Sequence, residues 1–190
     1  MVKPLKRQQF MSFRSTRRFA TDRNGVSAVE FALILPLMLG LYLGGVEFGD
    51  AFSIKRKVTR VTSSLGDLVT QSKTISDTDM SHILDAAESV VAPYPSNLLQ
   101  MKVTGISIDQ NGVGRVAWSD ARNDTPHAKD SVIAVPSSLQ LANSFLVTAE
   151  ITYEYTPTIG YKLTGSIDLS DQFFLRPRRS AEVNRVIAQQ

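Results

Sequence analysis

Glu30 has the least ordinary surroundings of any ionisable residue in this 190-residue chain. It stands at the fifth position after Gly25, follows a segment crowded with basic residues, and opens a run, Phe31 to Val46, that carries no charge. An ionised group at the edge of hydrocarbon normally has a partner or a task. Two are legible here. Ser27-x-x-Glu30 has the pattern of a capping box, with Ser27 as N-cap and Glu30 reaching back to its amide. A cut after Gly25 would instead free the Val26 ammonium. The amine of a neighbouring subunit would then pair with Glu30 in low dielectric and set the register between packed helices. The two roles are compatible.

Other chemistry is sparse. His82 and His127 are the two histidines, and cysteine is absent. That excludes disulfides, lipoprotein acylation and a thiol nucleophile. A zinc site would have to use carboxylates and lacks recognisable spacing. No nucleophile elbow and no Walker A sequence is present. Asn111-Gly-Val-Gly114 reads as a turn, and Asp168-x-Ser-Asp171 is too short for a metal-dependent adhesion site. These observations predict no enzyme activity, cofactor, metal or small-molecule substrate.

The element that must position Glu30 is a helix. The uncharged run alone would span about 24 Å, but Val26 to Phe48 gives about 34 Å. That crosses a hydrocarbon layer of roughly 30 Å with some tilt. Pro36 removes one backbone bond inside it and predicts a local kink. Gly40-x-x-x-Gly44 is a small-residue spacing that lets helices approach closely.

Charge sets the orientation. Residues 1–25 hold Lys3, Lys6, Arg7, Arg14, Arg17, Arg18 and Arg23 against Asp22, a net +6 in a chain whose total is +3. The remainder is acidic, so the basic balance describes a leader and no nucleic-acid partner is expected. Basic residues favour the cytoplasmic side, which sends the C-terminal part outward into the periplasm. Lys55-Arg56-Lys57 and Arg60 compete more weakly from the far side.

Beyond the membrane run, Ile54, Val58, Val61, Leu65 and Leu68 recur at steps of four and three, an apolar stripe on an amphipathic extension over residues 49–75. Its bland role is burial against the chain's own domain, and its sharper role is a seam with another subunit. A second helix is predicted from Thr78 to Ala92, capped by Ser76 or Thr78, ended by Pro93 and Pro95, with His82 solvated. Met80, Ile83, Leu84, Ala87, Val90 and Val91 form its apolar face. Lys102–Ile108 and Val113–Trp118 flank Asp109-Gln-Asn-Gly112 as a hairpin, and 119–130 reads as a loop. Ser144–Tyr155 alternates as a strand, with Phe145, Val147, Ala149, Ile151, Tyr153 and Tyr155 on one face. A last strand falls within Ile167–Leu175, before a solvated basic tail of Arg176, Arg178, Arg179 and Arg185. Trp118, Tyr153, Tyr155 and Phe173 read as core. The fold class is α+β: one transmembrane helix extended into a long amphipathic helix, then a small domain with a second helix and an antiparallel sheet over residues 76–190.

Gly25, with Glu30 and Phe31 at the fifth and sixth positions and an apolar helix after them, resembles the Flp-type prepilin cleavage motif. The longer stretch Ala28-Val29-Glu30-Phe31-Ala32-Leu33, Leu35-Pro36-Leu37 and Gly45-Val46-Glu47-Phe48-Gly49 resembles the start of the TadE family of minor pseudopilins. Weaker echoes lie in Tyr153-Glu-Tyr-Thr-Pro157 and Arg176-Pro-Arg-Arg179. The resemblance implies a pilin-type fold and a part in building the Flp pilus of the tight-adherence system. It implies cleavage after Gly25 by a membrane prepilin peptidase, with Gly25 and Val26 flanking the scissile bond and Glu30 and Phe31 as recognition residues. Val26, Glu30, Gly40 and Gly44 then become subunit contacts. The implied partners are inner-membrane lipid, the prepilin peptidase, other pseudopilins or the major Flp pilin, and the assembly platform.

Two other classes stay open. One is an uncleaved single-pass anchor for a periplasmic binding module that works through the Trp118 hairpin or the basic tail. The other is a secreted enzyme released at Ala51-Phe52-Ser53, although Glu47 and Asp50 intervene before that site.

Overall fold

The computed structural model describes residues 23–160, 162 and 165–186, so most of the basic leader lies outside the described residues. Two compact units divide between Gly45 and Val46. One helix, α1 (Arg23–Thr70), contributes to both and has Pro36 in its interior. Because α1 is already helical at Arg23, Ser27 is an interior residue. The amides that an N-cap would receive are then paired within the helix, so the capping-box reading of Ser27 and Glu30 does not hold.

In the first unit, α1 is apolar along Phe31 to Gly45 and is exposed almost throughout. Among the described residues, Phe31, Leu33, Leu37, Leu41 and Tyr42 are all exposed. The helix is long and apolar enough to cross a membrane.

In the second unit, the remainder of α1 is covered along one side. Ile54, Val58, Val61, Leu65 and Val69 are buried. Each contributes roughly 1.5–3 kcal/mol relative to exposure. Leu68, predicted for the stripe, is exposed, and Val69 takes its place. The two residues flank the stripe on opposite sides, and the core lies on the Val69 side. At Gly66 a Cβ would stand 2.5 Å from Leu175 Cδ1, so helix and sheet meet closely there and a larger residue would require the Leu175 side chain to shift. α1 stops at Thr70, short of the residue 75 limit, because Ile75 is drawn into a short strand, β1 (Thr74–Ile75), that pairs in parallel with β6 (Asn184–Arg185).

The second helix, α2 (Asp77–Val91), starts at the capping box Ser76/Asp79. The Asp79 amide donates to Ser76 Oγ at 3.2 Å, and the Ser76 amide donates to Asp79 Oδ2 at 3.0 Å. These bonds to Ser76 hold the Asp79 carboxyl below its ordinary pKa. Met80, Leu84, Ala87 and Val91 face the core, whereas Val90 and His82 are exposed.

Four antiparallel strands form the main sheet, in the order β3-β2-β4-β5. They are β2 (Leu99–Ile108), β3 (Gly114–Arg122), β4 (Phe145–Tyr155) and β5 (Ile167–Leu175). The predicted hairpin is present, but β3 runs on through Ser119 to Arg122, where a loop was expected. Ser119, Asp120, Ala121 and Arg122 pair with Thr104, Val103, Lys102 and Met101, so ladder bonding overrides their polar character. The β4 face that carries Val147, Ala149, Ile151 and Tyr153 joins α1 and α2 in the core. At the other end, Leu146 joins Ile106, Ile108 and Val135 in a small second core. Phe173 is exposed because β5 is an edge strand, with neighbours on one side only.

Candidate functional site

The residues singled out for processing and packing all lie on α1 in the first unit. Val26, Glu30, Leu33, Leu37, Gly40 and Gly44 follow one another at alternating steps of four and three, which on a continuous helix puts them on one face. Phe31 follows Glu30 directly and points to another side. The structure thus brings Val26, Glu30, Gly40 and Gly44 into line and leaves Phe31 apart. All six of the predicted site residues, Gly25 and Phe31 included, are exposed. A Cβ at Gly25, Gly40 or Gly44 would meet nothing within 4 Å. The face is a smooth strip with a carboxylate at one end and open backbone at the other.

A carboxylate beyond the apolar run has a different fate. Glu47 is the first charged residue after Val46, and it lies in the second unit. Its carboxylate accepts the amide N–H of Ile159, and that of Gly160 at 3.0 Å. The Tyr155 hydroxyl donates to the Glu47 carbonyl at 3.3 Å. Burial, reinforced by the negative charges of Asp50 and Glu47, raises the Tyr155 phenol above its ordinary pKa. A Cβ at Gly160 would stand 2.9 Å from Glu47 Oε2, so the loop backbone lies close against the carboxylate. The sequence offered one signal for this site, the first charge after an uncharged run. Nothing local pointed to the loop as its partner.

Of the basic tail, Arg176, Arg178 and Arg179 are exposed as expected, and Arg185 is not. The Arg185 side chain is only 8% exposed and is held by Asp120 at 2.8 Å and Asp77 at 2.6 Å. The bond from Asp120, followed by that from Asp77, raises its pKa further. Arg178 pairs with Asp67 at 2.6 Å. Arg185 is therefore an internal tie between the last segment, β3 and the start of α2, and no part of a solvated patch. The Trp118 indole N–H donates to the Val183 carbonyl at 2.7 Å and fixes the same segment. A groove of about 400 Å³ opens beside it, lined in part by Asp120, His127, Lys129 and Arg185. Opposite charges alternate along that groove, which gives it no preference for one sign of ligand. Arg122, which the sequence left in a loop, ties β3 to Asp85 and to Glu88 of α2. Among the described residues, no three His, Asp or Glu side chains converge as a metal site.

The model of the family described as TadE-like protein matches residues 25–64. No curated protein and no solved structure matches the chain. The matched segment begins at Gly25, contains every site residue on α1, and extends through Glu47 into the buried stripe.

Proposed function

We propose that the chain, whose residues 25–64 match the TadE-like family, takes part in assembly of the Tad (tight-adherence) pilus as a minor pseudopilin whose leader is removed after Gly25 by a prepilin peptidase. In this reading Gly25 and Val26 flank the scissile bond, and Glu30 and Phe31 are what the peptidase recognises. The basic leader stays in the cytoplasm, α1 crosses the inner membrane once, and the second unit works in the periplasm. The protein is non-enzymatic. It acts by packing against other pseudopilins, the major pilin or the assembly platform.

One observation carries the reading. The family match starts at the proposed cleavage point, and the helix behind it is exposed over a whole face among the described residues. In a bilayer such a face is covered by lipid or by other helices, and small residues let a helix backbone approach closely. Cleavage would place a new ammonium at Val26, one helical turn from Glu30. In the water-poor interior of a helix bundle, that amine on one subunit and Glu30 on the next make a strong, register-setting pair.

The test is to replace Gly40 and Gly44 together by leucine, and separately Glu30 by glutamine. Both variants are expected to reach the membrane at normal abundance and to lose pilus assembly. Normal pili from both would remove the packing role and leave α1 as a plain anchor.

A further inference from the structure

We propose that the loop at residues 156–160, held by Glu47, rests in the polar layer of the leaflet from which α1 emerges, with Ile159 as its apolar contact. The proposal depends on α1 spanning the membrane, and it adds a second membrane contact made by the outer unit.

Position comes first. The span from Val26 to Phe48 is about 34 Å long, against a hydrocarbon thickness of roughly 30 Å. Glu47 therefore falls at the hydrocarbon boundary. The polar layer beyond it is about 5–8 Å deep. Ile159 and Gly160 donate their amides directly to the Glu47 carboxylate, so their backbone lies within that layer. This follows from chain adjacency and hydrogen bonds within the second unit.

Chemistry comes second. A carboxylate at this depth requires donors, since water is scarce and the ion is costly to leave bare. Two backbone amides supply charge-assisted bonds. The Tyr155 hydroxyl adds a contact to the Glu47 carbonyl, and Pro157 is buried beneath the loop. The side chains the loop displays suit a lipid interface. Ile159 is 54% exposed, Phe48 beside Glu47 is 73% exposed, and Lys162 is exposed. An aliphatic and an aromatic group at headgroup level, with a lysine free to reach phosphate, is an interfacial composition. A single exposed isoleucine on a soluble surface would need no explanation. This one is pinned to the residue at which the apolar run ends.

The chain lacks cysteine, so single labels are unambiguous. Full-length protein carrying Ile159→Cys, Leu37→Cys or Gln110→Cys would be labelled with nitrobenzoxadiazole and placed in vesicles of phosphatidylethanolamine and phosphatidylglycerol. Expected is deep quenching by acyl-chain quenchers at 37, and a water-like spectrum at 110. At 159, a blue-shifted emission quenched best by headgroup-level quenchers is expected. Adding Glu47→Ala should abolish most of the shift at 159, and Glu47→Gln, which keeps an acceptor oxygen, should retain it. A water-like label at 159 with a buried label at 37 would overturn the loop contact and leave the anchor standing. A water-like label at 37 would overturn the anchor itself. A shift at 159 that appears only at high protein-to-lipid ratio would overturn the lipid assignment in favour of another protein. An unchanged shift in Glu47→Ala would overturn Glu47 as its positioning residue.

Discussion

The two parts of α1 are built from similar side chains and end in opposite states. Before Gly45, Leu33, Leu37 and Leu41 are exposed; after Val46, Ile54, Val58, Val61 and Leu65 are buried. Both parts repeat apolar or small residues at steps of four and three, so periodicity does not distinguish them. What differs is the opposite face. From Phe31 to Val46 it is apolar as well, while from Ser53 to Asp67 it carries Arg56, Arg60, Ser63 and Ser64. A helix apolar all round requires an apolar surround on every side, whereas a one-sided helix requires only its own sheet. The difference teaches that the first part has the composition of a helix made to cross a membrane, and that the residues of the second part answer to the fold.

The largest effect that bears on this contrast is a pair of truncations. Leu65→Ala empties a fully buried site and should cost about 2–5 kcal/mol. Leu37→Ala, at a site 66% exposed, should stay within about 0.5 kcal/mol of the parent. Urea unfolding of the full chain in detergent micelles, followed by Trp118 fluorescence, measures both. Equal losses would break the contrast. Arg185→Ala comes next. It strands Asp120 and removes one partner from Asp77, which is 46% exposed. The loss should be roughly 2 kcal/mol, below the 3–5 kcal/mol of a fully buried pair. The same unfolding experiment would detect it, and an unchanged midpoint would return Arg185 to the solvated tail.

Ser76→Ala is smaller, about 1 kcal/mol, through loss of the α2 cap. The smallest effect is that of pH. Burial alone would raise Asp171, but the Thr59 hydroxyl and the Lys55 ammonium outweigh it and lower its pKa. Asp124 is lowered in the same way, with Lys102 outweighing burial. A lowered folded pKa contributes stability that is complete above the unfolded value and is lost as pH falls through the folded one. Stability should therefore hold steady down to the ordinary carboxylate range and decline below it. Lys55→Met should reduce that decline, and a midpoint with the same acid dependence in the variant would exclude the pair.

What was legible in the sequence was local. Of the two cap candidates for α2, Ser76 and Thr78, the structure takes Ser76, and the helix falls within one residue of its expected bounds. The alternation of β4 and the turn at Asp109–Gly112 were equally plain. That Val26, Glu30, Gly40 and Gly44 share one face of α1 was legible for the same reason, since a helix face is fixed by spacing alone. Ser27 misled because a capping box is a pattern that a continuing helix can also contain. What failed was long-range. Glu47 and Ile159 stand 112 positions apart, and Arg185 and Asp120 are separated by 65. No periodicity joins such pairs. β3 was cut short because Ser119 and Asp120 are poor strand formers that only their partners on β2 keep in the ladder.

The central claim is that the uncovered part of α1 begins, in the working protein, at Val26. The direct measurement is N-terminal sequencing of the protein recovered from native membranes, beside the same protein from cells lacking the prepilin peptidase. A start at Val26 in the first and at Met1 in the second is the predicted result. A start at Met1 in both would contradict it, and Glu30 would then be an uncleaved anchor's carboxylate with no amine to meet.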